Sequence, residues 1–326
     1  APPRASCCGA LGVLLSARLQ PAGAAGATCA AAPGMHQRTA PAGCPEEERP
    51  AAWTFTTAAA SIPVAEGVSV DARIFSPSPR PWAGAVFAHG GCFAQGDRDS
   101  QAGVSAMLAE MGVAVVSTSY RQGAGHPHPT ATEDLAAVAR FARGELWPGL
   151  PVGVVGSSSG GWHALALARE PYQLRLSFCV ALCPVAHPGI RARYLQSCVN
   201  GTAARDGYAV SHTRDQAAQM LAWQRGYWQT DAAMEAAGGL LLPPGRVPTL
   251  LLLGAADKNV PEQVTRGVQA WATKTIVLGG RGHELQNGPP DSGAAAPLYV
   301  ADLERFLRHA VAAAPPAPPE RPASAL

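Results

Sequence analysis

Ser158 lies in the run Gly156-Ser157-Ser158-Ser159-Gly160, between an apolar, β-prone stretch (Pro151-Val152-Gly153-Val154-Val155) and a helix-forming one (Trp162-His163-Ala164-Leu165-Ala166-Leu167-Ala168). A strand that turns sharply into a helix holds such a serine in a tight bend, its hydroxyl clear of the sheet and able to attack a carbonyl. The flanking glycines are required because side chains there would collide with the neighbouring strand and helix. In a chain with 35 glycines among 326 residues the five letters alone carry little weight. The reading therefore rests on partners.

A seryl hydroxyl is a poor nucleophile at neutral pH and needs a base, and the base needs a carboxylate to fix its tautomer and stabilise its charged form. His283 and Asp257 answer these needs. Asp257 follows the apolar strand Pro248-Thr249-Leu250-Leu251-Leu252-Leu253-Gly254, and His283 follows Thr275-Ile276-Val277-Leu278 and a glycine turn. Both are thus expected in loops at the C-terminal ends of strands, the edge of an open parallel sheet where ligand sites form. The order Ser, Asp, His also fits a serine placed on such a bend. Other histidines fit less well: His89 is better placed to shape a loop, His163 to pack within a helix, and His126 and His128 flank prolines. Asp291 and Glu284 are rivals to Asp257, but neither follows a buried strand.

Upstream, Ala85-Val86-Phe87-Ala88 reads as a short buried strand running into His89-Gly90-Gly91-Cys92-Phe93. Glycines there let backbone N–H groups approach the oxygen of a tetrahedral intermediate. Losing one such donor typically costs about 3–4 kcal/mol of transition-state stabilisation. The expected donors are the amides of Gly91, Cys92 and Ser159. The bland alternative is a glycine turn with an incidental histidine.

Alternating elements must position these residues. Trp53–Thr57 and Val68–Phe75 are expected as opening, antiparallel strands, followed by strands at 84–88, 113–119, 151–156, 176–183, 248–254 and 274–279. Helices are expected near 100–111, 130–143, 159–169, 261–271 and 296–313, the last with an apolar stripe of Leu298, Leu303, Phe306 and Leu307. This alternation argues for an α/β fold, a mostly parallel sheet covered on both faces. Arg121 and Asp134 are expected to pair as a structural tie. The segment from Cys183 to Pro248 is far longer than a crossover needs. Residues 187–246 are read as a cap insertion after the sixth strand, in which Trp223, Tyr227 and Trp228, with Phe93 and Trp162, are candidates for a substrate pocket. The alternative for each aromatic is packing within the helices themselves.

Taken in order, these pieces resemble the α/β-hydrolase superfamily, in the esterase branch with a His-Gly-Gly oxyanion loop. That branch includes hormone-sensitive-lipase-like carboxylesterases and kynurenine-formamidase-like enzymes. The likeness spans roughly 62–312 and includes Gly96-Asp97, Val113 to Arg121, Pro129 with Glu133-Asp134-Leu135, and Ser158-Ser159-Gly160-Gly161. The chain departs from many relatives at Cys92 (a third glycine), Ser157 (Asp or His) and Ser119 (Asp). The resemblance implies an α/β-hydrolase fold and a serine hydrolase with Ser158, His283 and Asp257 in catalytic roles and no cofactor or metal. The expected substrate is a small ester. The alternatives are an amide such as a formamide, or a non-catalytic binding protein on the same scaffold.

Composition bounds the rest. A formal charge of +2, with 15% charged residues and no basic stripe, argues against nucleic-acid binding. No apolar run approaches the roughly 18 residues of a membrane span, and the spacings of metal-ligating motifs are absent. Residues 1–50, rich in Ala, Gly and Pro with no acid before Glu46, read as a leader: a transit peptide, a secretory segment around Cys7–Leu15, or upstream sequence before Met35. The Pro/Ala-rich stretch 313–326 is expected to be disordered. Eight cysteines, four of them in the leader, do not form a disulfide framework, which favours an intracellular over a secreted setting.

Overall fold

The computed structural model describes residues 53–169, 173–209, 212–242, 247–285 and 299–314. The expected leader, Asp291, Leu298 of the expected apolar stripe, residues 210, 211 and 243–246 of the expected cap and nearly all of the C-terminal tail lie outside these residues. Eight strands form one sheet in the order β1-β2-β4-β3-β5-β6-β7-β8. The strands are β1 (Thr54–Ala65), β2 (Val68–Ser78), β3 (Ala83–Ala88), β4 (Val113–Thr118), β5 (Val152–Ser157), β6 (Cys179–Leu182), β7 (Thr249–Gly254) and β8 (Lys274–Leu278). β2 runs antiparallel to both β1 and β4, and every later pairing is parallel.

β3, β4 and β5 are buried throughout. Such strands have to be apolar on both faces, which is why they read as continuous hydrophobic runs. On one face Ala85, Phe87, Val113, Val115, Val180, Leu182, Leu250 and Leu252 join Val104 and Leu108 of α1 (Ala102–Glu110) and Leu303, Phe306 and Leu307 of α8 (Val300–Ala312) in one buried cluster. On the other lie α2 (Thr130–Phe141) and α3 (Ser159–Ala168). All ten residues of α3 are buried, so it runs through the core rather than across the surface.

Three elements differ from those expected. The opening hairpin is longer than the sequence suggests: β1 continues through Ala58–Ala60, paired with Ile74–Ala72, because backbone pairing carries an exposed alanine run that has no alternating pattern. β6 is shorter, Cys179–Leu182, although the Ser177 amide already donates to the Val152 carbonyl at 2.9 Å and the Phe178 carbonyl accepts from Val154 at 3.0 Å. α2 ends in a wider π-helical turn, Ala142–Leu146.

Between β6 and β7 stand α4 (Pro188–Asn200), α5 (Arg214–Trp228) and α6 (Asp231–Leu240); α7 (Glu262–Gln269) then returns to β8. Each inserted helix starts on a side-chain cap: His187, Thr213 (with Gln216 closing a capping box) and Thr230. Trp162 Nε1 on α3 donates to the Ala237 carbonyl of α6 at 3.3 Å, tying insertion to core.

Candidate active site

β5 ends and α3 begins within two residues, and Ser158 is the hinge between them, at φ 54° and ψ −117°. A non-glycine residue at positive φ is strained, and the surroundings must hold it there. The Ser158 N–H donates to the Leu182 carbonyl at 2.9 Å, and its own carbonyl accepts from Val185 at 2.9 Å and Gly161 at 3.1 Å. A Cβ on Gly160 would stand 2.2 Å from the Ala88 carbonyl oxygen, so only glycine lets α3 lie this close to the end of β3.

His283 Nε2 is 3.0 Å from Ser158 Oγ, and His283 Nδ1 is 2.8 Å from Asp257 Oδ2. The other Asp257 oxygen accepts from the Asn259 and Val260 amides at 2.8 and 2.9 Å, which fixes the carboxylate plane. Burial disfavours ionisation of Asp257, but the facing His283 charge, its hydrogen bond and those of Val260 and Cys183 outweigh that, holding the carboxyl below its ordinary range. At His283 burial likewise opposes the charged form. The charge and hydrogen bond of Asp257, with Glu284, prevail and raise its pKa above 6.5.

The loop after β3 brings Gly90 against the serine, where a Cβ would lie 3.0 Å from Ser158 Cβ. Gly91 is at φ 145°, and a Cβ there would fall 1.8 Å from the Gln95 carbonyl oxygen. Cys92 and Phe93 follow at φ 56° and 63°, two consecutive left-handed residues that are not glycine. The turn closes through Ala94 and Gln95 amides on the Gly91 carbonyl, at 3.0 and 2.9 Å. The Ser159 amide, at the first position of α3, has no acceptor within the helix.

The other histidines are placed as structure. His89 Nδ1 donates to the Gly90 carbonyl at 2.7 Å, while its ring stacks on Tyr120 at 4.3 Å. Burial pushes its pKa down to about 4. His163 is buried against Thr132, its Nδ1 2.8 Å from the hydroxyl, and burial holds its pKa at about 3. His128 packs on Trp228 at 4.6 Å. Arg121 and Asp134 form a bidentate pair, the shortest contact 2.6 Å.

Of the aromatic residues proposed for a pocket, Phe93, Trp162, Tyr227 and Trp228 form one packed cluster, each 2% exposed or less. Trp223, one turn earlier on α5, stands apart and partly exposed. In this structure these rings anchor the glycine loop after β3 to α3 and α5.

Sequence reasoning missed four contributors. Gln101, itself left-handed at φ 61°, accepts from the Gly90 amide at 2.8 Å and donates to Ser157 Oγ at 2.8 Å, bridging the oxyanion loop to the serine strand. Cys183 gives its thiol hydrogen to Asp257. Asn259 caps the same carboxylate, and Arg191 reaches the site from α4. No local pattern marks Gln101, Cys183 or Arg191, because each acts across a long sequence separation, whereas Asn259 lies two residues after Asp257 and closes a local turn on it. Among the described residues, Cys183, Asp257 and His283 gather ligating atoms within 4.8 Å of one another. Burial, then the Asp257 charge, raises the Cys183 thiol well above its ordinary value, so it faces the Asp–His pair as a neutral hydrogen-bond donor.

The family model described as alpha/beta hydrolase fold matches residues 85–249, just over half of the chain. The chain belongs to the α/β-hydrolase family. Solved structures with the same fold include an esterase of Pyrobaculum calidifontis, at 19% identity and TM-score 0.60, covering 78% of this chain and 86% of that one. Carboxyl esterase 2 of Tuber melanosporum aligns at 19% identity and TM-score 0.60, covering 79% and 86%. Esterase LipW of Mycobacterium marinum aligns at 23% and 0.58, covering 80% and 82%. No curated protein matches the chain.

Proposed function

We propose that this protein is a serine hydrolase that cleaves carboxylic esters of small molecules through an acyl-enzyme. The observation that carries the reading is the unbroken line Ser158 Oγ, His283 and Asp257, at 3.0 and 2.8 Å, with the serine held at a strained bend beside a glycine loop. The esterases that share the fold support the choice of esters.

Ser158 Oγ attacks the ester carbonyl as His283 Nε2 takes its proton. Asp257, bonded to Nδ1, holds the tautomer and stabilises the imidazolium. The amides of Gly91, Cys92 and Ser159 receive the oxyanion. Collapse expels the alcohol with the proton from His283. Water, deprotonated by the same imidazole, then attacks the acyl-enzyme, and Ser158 leaves with the proton returned. The helices α4 to α6 act as the cap over this site.

Intact-mass measurement after a fluorophosphonate probe, beside Ser158→Ala, tests the nucleophile. A single adduct that vanishes in the variant supports it, and no adduct on folded protein overturns it. Parallel p-nitrophenyl esters and N-formyl anilides test the bond: faster formanilide cleavage would replace the ester assignment with an amide one.

A further inference from the structure

Arg191, on the first turn of α4, is fully buried. Its guanidinium meets only neutral acceptors: Asn259 Oδ1 at 2.7 Å, the Asn259 carbonyl at 3.4 Å and Gln224 Oε1 at 3.0 Å, then the sulfurs of Met220 at 3.6 Å and Cys92 at 3.7 Å. Among the described residues it forms no ion pair with a carboxylate. Burying a guanidinium without a direct counter-ion disfavours folding unless its hydrogen bonds compensate. Tying α4 to its neighbours alone would need no charge, since a glutamine or methionine packs there without that cost.

The contacts show where the charge acts. Cys92 belongs to the oxyanion loop. Asn259, two residues after Asp257, gives its amide to that carboxylate at 2.8 Å. One side chain from the insertion therefore grips both the loop expected to receive the oxyanion and the loop that carries the acid. We infer that Arg191 is a positioning residue that sets the oxyanion loop in register with the Asp257 loop and places a permanent positive charge behind both.

Charged and titratable groups face His283 from each neighbouring element. Asp257 comes from the β7–α7 loop, Glu284 from its own loop, Cys183 from the end of β6, His212 from the segment before α5 and Arg191 from α4. Burial is the largest influence and disfavours the imidazolium. Asp257 and Glu284 favour it, and Arg191 opposes it. His212, pushed down to about 4 by burial and by Arg191, is neutral at working pH. Cys183 stays a neutral thiol. Arg191 is thus the fixed cation that offsets the acids. It makes the base easier to deprotonate and stands 3.7 Å from the Cys92 sulfur, against the loop expected to receive the oxyanion.

This inference rests on the esterase reading. Its test is hydrolysis of p-nitrophenyl butyrate against pH by the full chain, with Arg191→Met and Arg191→Lys, alongside fluorophosphonate labelling of each. Arg191→Met removes the cation at nearly constant volume. The acid limb of kcat/KM is expected to move up by about half a pH unit or more. Its kcat should fall at least about tenfold while KM stays within about threefold. Arg191→Lys keeps the charge, so its acid limb stays at the wild-type position with an intermediate kcat.

An unmoved limb in Arg191→Met, or equal losses in both variants, would reduce Arg191 to a packing tie and overturn the inference. If Arg191→Met does not fold, Arg191→Lys decides: a wild-type limb with kcat lowered about three- to tenfold supports it, and a wild-type kcat overturns it. A wild-type protein that labels and turns over ester, but whose variants behave alike, refutes this inference only. A wild-type protein that does neither overturns the esterase reading and this inference together.

Discussion

The ring of Phe93 lies flat on that of Tyr227, centroids 5.3 Å apart and planes within 10°. Phe93 is a left-handed residue of the loop after β3, and Tyr227 is near the end of α5. The stack, with Trp228 edge-on at 5.5 Å, holds a backbone that would otherwise relax. The loop's geometry is therefore secured by the insertion and by the sheet together. The same division appears at Cys92, which meets Arg191 of α4 at 3.7 Å.

Removing that ring should separate stability from chemistry. Tyr227→Ala opens a cavity among fully buried aromatics and is expected to cost about 3–5 kcal/mol. With the protein still folded at low temperature, kcat for p-nitrophenyl butyrate should fall by more than tenfold, because the expected donors no longer hold still. Urea unfolding and turnover on the same preparation check both. A destabilised protein with wild-type kcat would show that the loop keeps its shape without α5.

Gln101 makes a second prediction. Its side chain spans the Gly90 amide and Ser157 Oγ, both at 2.8 Å, so one residue fixes the spacing between the glycine loop after β3 and the end of β5 beside Ser158. Gln101→Leu leaves a donor and an acceptor without partners, at about 1–3 kcal/mol each where they are buried. A kcat loss of about tenfold with little change in KM is expected, measured by steady-state kinetics. A rise in KM alone would place Gln101 in binding instead.

Much of this was legible in the sequence for a physical reason. β3, β5 and β7 are buried on both faces, so composition alone marks them, and Ser158, Asp257 and His283, which stand within hydrogen-bonding distance in series, each lie past a strand end. The residues that refine the site were not legible. Gln101 and Ser157 are 56 positions apart, and Arg191 and Cys92 are 99 apart, so their pairing exists only once the sheet order is set. The inserted helices were also blurred as elements. α5 and α6 carry Gly226 and Gly238-Gly239 inside them, and capping by Thr213 and Thr230 together with packing on α4 overrides weak helix propensity.

The Arg121–Asp134 pair was expected as a structural tie, and its burial gives that a magnitude. Asp134 is 1% exposed at its side chain and accepts from the Arg121 amide at 2.9 Å as well as from the guanidinium. Asp134→Ala strands the partner donors and should cost about 3–5 kcal/mol. Asp134→Asn, which retains an acceptor, should cost less. Thermal unfolding of the two variants checks the order. Equal losses would mean that packing, not the charge, is what Asp134 supplies.

The Asp257–His283 couple sets the pH behaviour of the whole site. His283 is held above 6.5 because Asp257 and Glu284 outweigh burial, so the neutral base emerges only above the ordinary histidine range. The acid limb of kcat/KM should therefore lie above pH 6.5. Asp257→Asn removes the carboxylate and leaves burial in command, so that limb should move down while kcat falls about 10³–10⁴-fold. The signs for stability follow from the same shifts. The raised His283 pKa contributes stability fully present below 6.5 and lost as pH rises through the folded value. The depressed Asp257 pKa contributes stability present above 3.8 and lost as pH falls through its folded value. Both charges coexist between these limits. The stability gap between wild type and Asp257→Asn should thus be widest near pH 5 and narrow by pH 8.5, as read from urea unfolding at the two pH values. A gap that widens towards pH 8.5 would show that the pair is held by its neutral hydrogen bond and not by its charges.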